Sequence, residues 1–355
     1  MRLLITGGAG FVGSSLALAF RADHPTARII AFDNLRRRGS ELTLPRLAAA
    51  GIEFIHGDVR NPTDLAGVGP FDALIECSAE PSVHAGYGEG PDYVVETNLM
   101  GTFHCLEAAR RSNALVLFLS TSRVYPIAGL RALPVAAKAT RLALPPEAEG
   151  PGWSAAGIGM DFPMGGSRSL YGATKLASEH LAEEYSALYG LGVVVNRCGV
   201  LAGPGQMGKV DQGFMALWCA RHLFGGTLSY SGFGGQGLQV RDVLHVADLY
   251  RLLARQLVSL KPGSYRLFNA GGGAGNAVSL AELTGLCAHA AGRQIHIGSQ
   301  PETRAADIPW YVTDNAAVSA ATGWKPLIGV SALVYDVFAW LRRDRAALEP
   351  IFARG

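Results

Sequence analysis

The heptapeptide Ser169-Leu170-Tyr171-Gly172-Ala173-Thr174-Lys175 carries residues suited to proton transfer. Positions four apart share one face of a helix, so Tyr171 and Lys175 can point into the same site. An ammonium beside a phenol stabilises the phenolate and lowers a pKa that is otherwise about 10. The pair therefore makes a proton acceptor for a hydroxyl near neutral pH. At the N-terminus, Gly7-Gly8-Ala9-Gly10-Phe11-Val12-Gly13 can place a dinucleotide next to that base. Together the two segments point to nicotinamide redox chemistry at a carbon bearing a hydroxyl.

Gly8-x-Gly10-x-x-Gly13 follows an apolar strand and opens a helix, the context in which this spacing has mechanical meaning. Glycine permits otherwise strained turn angles and lets backbone amides approach a pyrophosphate. The helix N-terminus adds partial positive charge, so Gly7, Gly10, Phe11, Val12 and Gly13 form the expected phosphate cradle. Asp33 lies twenty residues beyond Gly13, at the end of the second strand. A carboxylate there accepts hydrogen bonds from an adenosine ribose and repels a 2′-phosphate, which favours NAD over NADP. Arg36, Arg37 and Arg38 follow and work against that preference, although as a short basic run they also suit solvated surface. Asp58, after the third strand, is placed to cap the adenine amino group or to lie on the surface as an ordinary aspartate. Asn34 and Val59 accompany these two carboxylates, and Asn98 is expected to tie helix backbone to the sheet beside the cofactor.

Ser120-Thr121-Ser122-Arg123-Val124-Tyr125 ends another strand, at the carboxyl edge where open parallel sheets bind ligands. A hydroxyl from Thr121 can hold a substrate oxygen while Tyr171 takes its proton; Ser122 offers the same group one residue on. Lys175 can both grip a cofactor ribose and lower the Tyr171 pKa. Arg241 and Arg304 carry forked guanidinium groups that match a diphosphate bidentately, as they would match a surface carboxylate.

Short apolar runs separated by helices position these groups. Strands are expected at Leu3–Thr6, Ile29–Phe32, Glu53–His56, Ala73–Cys77, Leu115–Ser120, Val193–Arg197 and Arg266–Asn269. Helices are expected at Phe11–Phe20, Val94–Arg111, Tyr171–Tyr189, Gly213–Phe224 and Val246–Val258. The pattern predicts an α/β doubly wound parallel sheet with a smaller C-terminal α/β substrate lobe. Residues 1–198 would form the dinucleotide-binding domain, with 238–270 returning to it, and 199–237 with 271–355 the second lobe. The Pro-, Gly- and Ala-rich stretch 126–167 is long for a plain connection and is read as a cover over the site.

The chain has 355 residues, 49% hydrophobic and 17% charged, which describes a globular protein with a large core. A formal net charge of +2 gives no electrostatic case for nucleic acid. Five scattered cysteines and nine histidines show neither CxxC nor HExxH spacing, so no disulfide framework or metal site is expected. No apolar run approaches the ~18 residues a membrane span needs. Met1 leads straight into the first strand without signal-peptide design, and a cytoplasmic location is the expectation.

The glycine motif, Thr121, Tyr171-x-x-x-Lys175 and Arg241-Asp242-x-x-His245 resemble the extended short-chain dehydrogenases/reductases that act on nucleotide sugars, over essentially the whole chain. The resemblance implies a Rossmann sheet and a tightly held NAD that is reduced and reoxidised in each turnover. It also implies a nucleotide-sugar substrate and a homo-oligomer. Thr121, Tyr171 and Lys175 would be catalytic, with Ser122, Arg123, Gln212, Arg241 and Arg304 on the substrate. Thr121-Ser122-Arg123-Val124-Tyr125, Lys209-Val210-Asp211-Gln212-Gly213 and Gln239 to His245 look most like members that epimerise C2 of a CDP-deoxyhexose. Sugar 4,6-dehydratases of this superfamily carry Asp-Glu directly after the catalytic Thr. Ser122 and Arg123 stand there instead, so 4,6-elimination lacks its acid and base. A 4-epimerase, a dehydratase, a net oxidoreductase and an idle NAD-binding regulator are the competing expectations. The chain departs from many relatives in having Glu76-Cys77-Ser78-Ala79-Glu80-Pro81-Ser82 where His-Leu-Ala-Ala is familiar.

Overall fold

A computed structural model describes residues 1–87, 90–208 and 213–353. Seven parallel strands form the central sheet: β1 (Arg2–Thr6), β2 (Arg28–Asp33), β3 (Glu53–His56), β4 (Ala73–Glu76), β5 (Leu115–Thr121), β6 (Val193–Cys198) and β7 (Tyr265–Ala270). Their spatial order is β7-β6-β5-β4-β1-β2-β3, the doubly wound arrangement expected from the alternation of strands and helices. Helices cover both faces, and this is why the strand segments are continuously apolar rather than alternating. Leu3, Ile5, Ala31, Ile75 and Leu117 pack on one face with the helices Phe11–Asp23 and Val246–Ser259. Leu4, Ile30, Leu74, Val116 and Phe118 pack on the other with the helices Gly101–Ser112 and Leu170–Tyr189.

Strand order reverses between β1 and β4, and a crevice opens there at the carboxyl ends of the strands. Element positions match the sequence reading to within one to three residues. The long helix before β5 differs in kind. It runs as Asp92–Val95, a π-helical turn Glu96–Met100, and then Gly101–Ser112. A widened turn of this sort re-aims a side chain, here that of Asn98.

Two expectations for the rest of the chain change. Within 238–270, the helix Val246–Ser259 and β7 join the central sheet, whereas Val240–His245 pairs with Val200–Ala202, Ala277–Ser279 and Trp310–Tyr311 in a second sheet. Conversely, Val318 and Trp324 pack into the core of the central sheet. The helices Phe214–Phe224, Leu280–Ala291 and Val330–Arg343 share a separate apolar cluster through Trp218, Cys287 and Phe338.

The stretch 126–167 is not a cover: none of its residues lines the crevice. It forms the short helix Ile127–Arg131 and two small hairpins, and it buries Leu130, Leu133, Leu144, Ile158 and Phe162 against Tyr125, Trp310 and Tyr311. Those apolar residues are irregularly spaced among prolines and glycines, so no helix or strand period reveals that they form a core. Phe162→Ala should therefore cost about 3–5 kcal/mol, measured by chemical denaturation. An unchanged midpoint would show that the segment is not a packing unit.

Candidate active site

The crevice encloses about 1230 Å³ and is lined at one end by Gly7, Gly10, Phe11, Val12, Gly13, Asp33, Asn34 and Val59. Its middle holds Thr121, Ser122, Arg123, Tyr171 and Lys175, and Arg241 and Arg304 line it as well. Three proposed residues are not among those lining it, one of them because its position is not described. Gln212 lies outside the described residues. Asp58 and Asn98 are not among the lining residues.

The dinucleotide end is shaped by close approach. Gly7 takes φ +63°, and a Cβ on Gly13 would stand 2.2 Å from the Gly7 carbonyl oxygen. The helix Phe11–Asp23 starts at Gly10 without a side-chain cap, so the first-turn amides have no side-chain acceptor. That is the donor set a pyrophosphate requires. Asp33 accepts the Ala9 amide at 3.1 Å and the Leu35 amide at 2.8 Å, which fixes its carboxylate at the end of β2. Burial raises its pKa, and these backbone bonds offset only part of that rise.

Asp58 is held by its neighbours. Arg60 pairs with it at 2.7 Å and the Asn34 amide donates to it at 2.9 Å. Burial alone would raise its pKa, but these bonds bring it down to about 2. Arg36 stacks 3.7 Å from the centroid of the Tyr93 ring and Arg60 lies 4.9 Å from it, while Arg37 donates to the Met207 carbonyl at 2.7 Å. Arg36 and Arg37 are thus held in place rather than free on a solvated surface. Asn98 spends its side chain on Glu80, accepting its amide at 2.8 Å and donating to its carbonyl at 3.1 Å. It ties the loop after β4 to the π turn.

Ser169 caps the helix that carries the base, accepting the Gly172 amide at 3.3 Å. One turn later Lys175 is 2% exposed, its ammonium 4.3 Å from the centroid of the Phe118 ring. Burial pushes the Tyr171 phenol up to about 12, against the Thr121 hydrogen bond and the charge of Arg123. Thr121, not Ser122, is thus the hydroxyl that meets Tyr171. Arg123 also emerges as a cation acting on the phenol, a role that spacing alone did not reveal.

Arg241 donates to the Ile308 carbonyl at 2.6 Å, and Arg123 to the Ala306 carbonyl at 3.2 Å. Arg131 takes the carbonyls of Arg304, Ala305 and Asp307 at 2.7, 3.1 and 2.8 Å. Every carbonyl from 304 to 308 therefore faces a guanidinium. Removal from water, followed by repulsion from Arg123, lowers the Arg241 pKa to about 9. An anion between these like charges would relieve that repulsion. His84 approaches Asp307 at 3.9 Å on the same wall.

Behind Thr121, Glu179 and Arg197 form a buried ion pair at 2.7 Å, and Ser120 donates to Glu179. Glu179→Gln would leave a buried guanidinium without its counter-charge. A loss of about 3–5 kcal/mol in denaturant unfolding is expected; a loss below ~1 kcal/mol would deny the pair its structural weight. Gly13→Ala should abolish retention of the dinucleotide through purification, because its Cβ displaces the Gly7 carbonyl.

Residues 3–271 match the NAD dependent epimerase/dehydratase family. CDP-paratose 2-epimerase of Salmonella typhi is 30% identical over 348 residues, covering 96% of this chain and 99% of that protein. The crystal structure of Thermus thermophilus UDP-glucose 4-epimerase with NAD superposes with a TM-score of 0.74 at 27% identity, covering 96% and 99% of the two chains. A dTDP-glucose 4,6-dehydratase double mutant from Streptomyces venezuelae, with NAD bound, gives 0.78 at 27% identity, covering 99% and 100%. With the uncapped helix, the glycine cradle and Asp33 in place to receive NAD, the chain belongs to the NAD-dependent epimerase/dehydratase family.

Proposed function

We propose that this protein epimerises a nucleotide-linked sugar, at C2 of a CDP-deoxyhexose, through a transient keto-sugar. The observation that supports this is that Thr121, Tyr171 and Lys175 line one crevice together with the glycine cradle and with Arg123, Arg241 and Arg304. Residues 199–237 and 271–355 would supply the nucleotide-sugar lobe. NAD, which Gly7, Gly10, Gly13 and Asp33 would hold, would supply the hydride acceptor and donor for the sugar carbon. Tyr171 Oη takes the hydroxyl proton and gives it back when the ketone is reduced. Thr121 holds the same oxygen in line, and Lys175 steadies the cofactor ribose and the phenolate. Arg241 and Arg304 grip the diphosphate, and this remote binding retains the keto-sugar while it turns over.

Ser122 and Arg123 support epimerisation over dehydration, because a hydroxyl and a guanidinium cannot replace the carboxyl acid and base of a 4,6-elimination. The likeness to the Salmonella typhi enzyme supports the choice of C2 and of a cytidine nucleotide. The test is proton NMR of the purified protein with CDP-, UDP-, GDP- and dTDP-sugars. A new anomeric signal at unchanged mass, with altered coupling at H2, is the expected result for a CDP-deoxyhexose alone. Conversion of dTDP-glucose to a 4-keto-6-deoxy sugar would overturn it.

Tyr171→Phe should lower turnover by about 10²–10⁴-fold with NAD still bound. Because the base must lose its proton and burial holds that phenol up, kcat/KM should rise with pH across about pH 6–9. A flat profile in the wild type would remove Tyr171 from the proton transfer.

A further inference from the structure

Glu76 closes β4 and is 1% exposed, yet nothing in the proton transfer above uses it. A carboxylate at such depth is costly unless paired. Its Oε1 receives the Thr102 hydroxyl at 2.6 Å, and its Oε2 has no hydrogen-bond partner. The same Thr102 oxygen lies 2.8 Å from the Asn98 carbonyl. A hydroxyl has one proton, so Thr102 serves one acceptor at a time.

Sheet register shows what the carboxyl faces. Glu76 is the partner of Phe118 across β4 and β5, and register partners project to the same face. The Lys175 ammonium stands over that same Phe118 ring. Glu76, Phe118 and Lys175 therefore lie together under the helices Gly101–Ser112 and Leu170–Tyr189. The other titratable groups around Lys175 are Cys77 beside Glu76, Cys105 on the first helix and Cys198 at the end of β6. All three are thiols held neutral by burial. Tyr171, on the helix of Lys175 itself, faces Thr121, Arg123, Cys198 and Glu80. Glu76 is the carboxyl set against the buried ammonium.

We propose that Glu76 is a positioning residue that acts through Lys175, keeping the ammonium charged and aimed, with Thr102 holding Glu76 in its ionised form. The proposal rests on the role given above to Lys175. Burial drives an isolated lysine toward the neutral amine, and an opposite charge counters it. A neutral Lys175 would keep two weaker N–H donors for the ribose but lose the charge that holds the phenolate. When Glu76 is instead protonated, it donates to Thr102, which turns its own proton to the Asn98 carbonyl. Thr102 thus links the charge of this pair to the π turn.

The test is the pH dependence of Lys175 acylation by acetic anhydride in the full-length protein as purified, read by peptide mass spectrometry. Lys175 lines the crevice but is 2% exposed, so labelling is followed as a slow reaction, with wild type and variants compared at equal bound NAD. Glu76→Gln keeps the shape and removes the charge. Its labelling midpoint should fall by about one pH unit or more, with the plateau rate unchanged. Thr102→Val should shift the midpoint the same way by less, and it decides the matter should Glu76→Gln not fold. A faster reaction at every pH with an unmoved midpoint would reveal only loosened packing and overturn the proposal. The acid limb of kcat should also move to higher pH in Glu76→Gln. Labelling needs no turnover, so a shifted midpoint in a protein that converts no nucleotide sugar would sink the epimerase reading and leave the charge pair standing.

Discussion

The ion pair of Glu179 and Arg197 fastens the helix of Tyr171 and Lys175 to the sheet, and the site geometry follows from it. Glu179 lies one helical turn beyond Lys175, and Arg197 stands on β6 beside the strand that delivers Thr121. Arg197 Nε donates to both Glu179 oxygens at 3.1 and 3.0 Å, and its Nη2 donates to Oε2 at 2.7 Å. Ser120 donates to the same carboxylate one residue before Thr121. Arg197 continues to the Tyr125 hydroxyl at 3.3 Å, and Tyr125 donates to Asn269 on β7 at 2.7 Å. Three strands and one helix are thereby locked in angle as well as in depth. Apolar packing alone would allow the helix to slide; directional bonds in a dry interior do not.

From this frame the chemistry projects in one direction. The phenol, the Thr121 hydroxyl and the Lys175 ammonium all come from elements joined beneath the crevice floor. The opposite wall is built from segments far apart in sequence, with Arg241 from the second sheet and the 304–308 loop tied to Arg131. One side carries the phenol, hydroxyl and ammonium, and the other carries guanidinium groups.

The parts legible in the sequence are those set by local spacing. The glycine cradle, Asp33 and the Tyr171-Lys175 interval each depend on residues within one turn or one strand–helix unit. Apolar runs revealed all seven strands because burial on both faces leaves a continuous signature. The missed features all depend on partners far apart along the chain or on geometry that spacing does not encode. Asp58 is held by Arg60 and Asn34, with Tyr93 beside Arg60, and Asn34 and Tyr93 come from distant parts of the chain. The apolar residues of 126–167 obey no period, so their burial shows only once Trp310 and Tyr311 are in place. Arg123 reads as a substrate contact in sequence, but its effect on Tyr171 depends on how a short turn after β5 bends.

The arginine-bound carbonyls of the 304–308 loop have a kinetic consequence. A guanidinium offers five N–H donors, and Arg241 spends only part of that number on backbone oxygens. An arriving diphosphate can be gripped by the remaining donors without any bond to the loop being broken. These guanidinium–carbonyl bonds are made within the fold itself, so the entropy of holding them is met during folding rather than at association. Encounter with ligand should need no rearrangement of this wall, so differences among nucleotide ligands would be written mainly in their rates of departure.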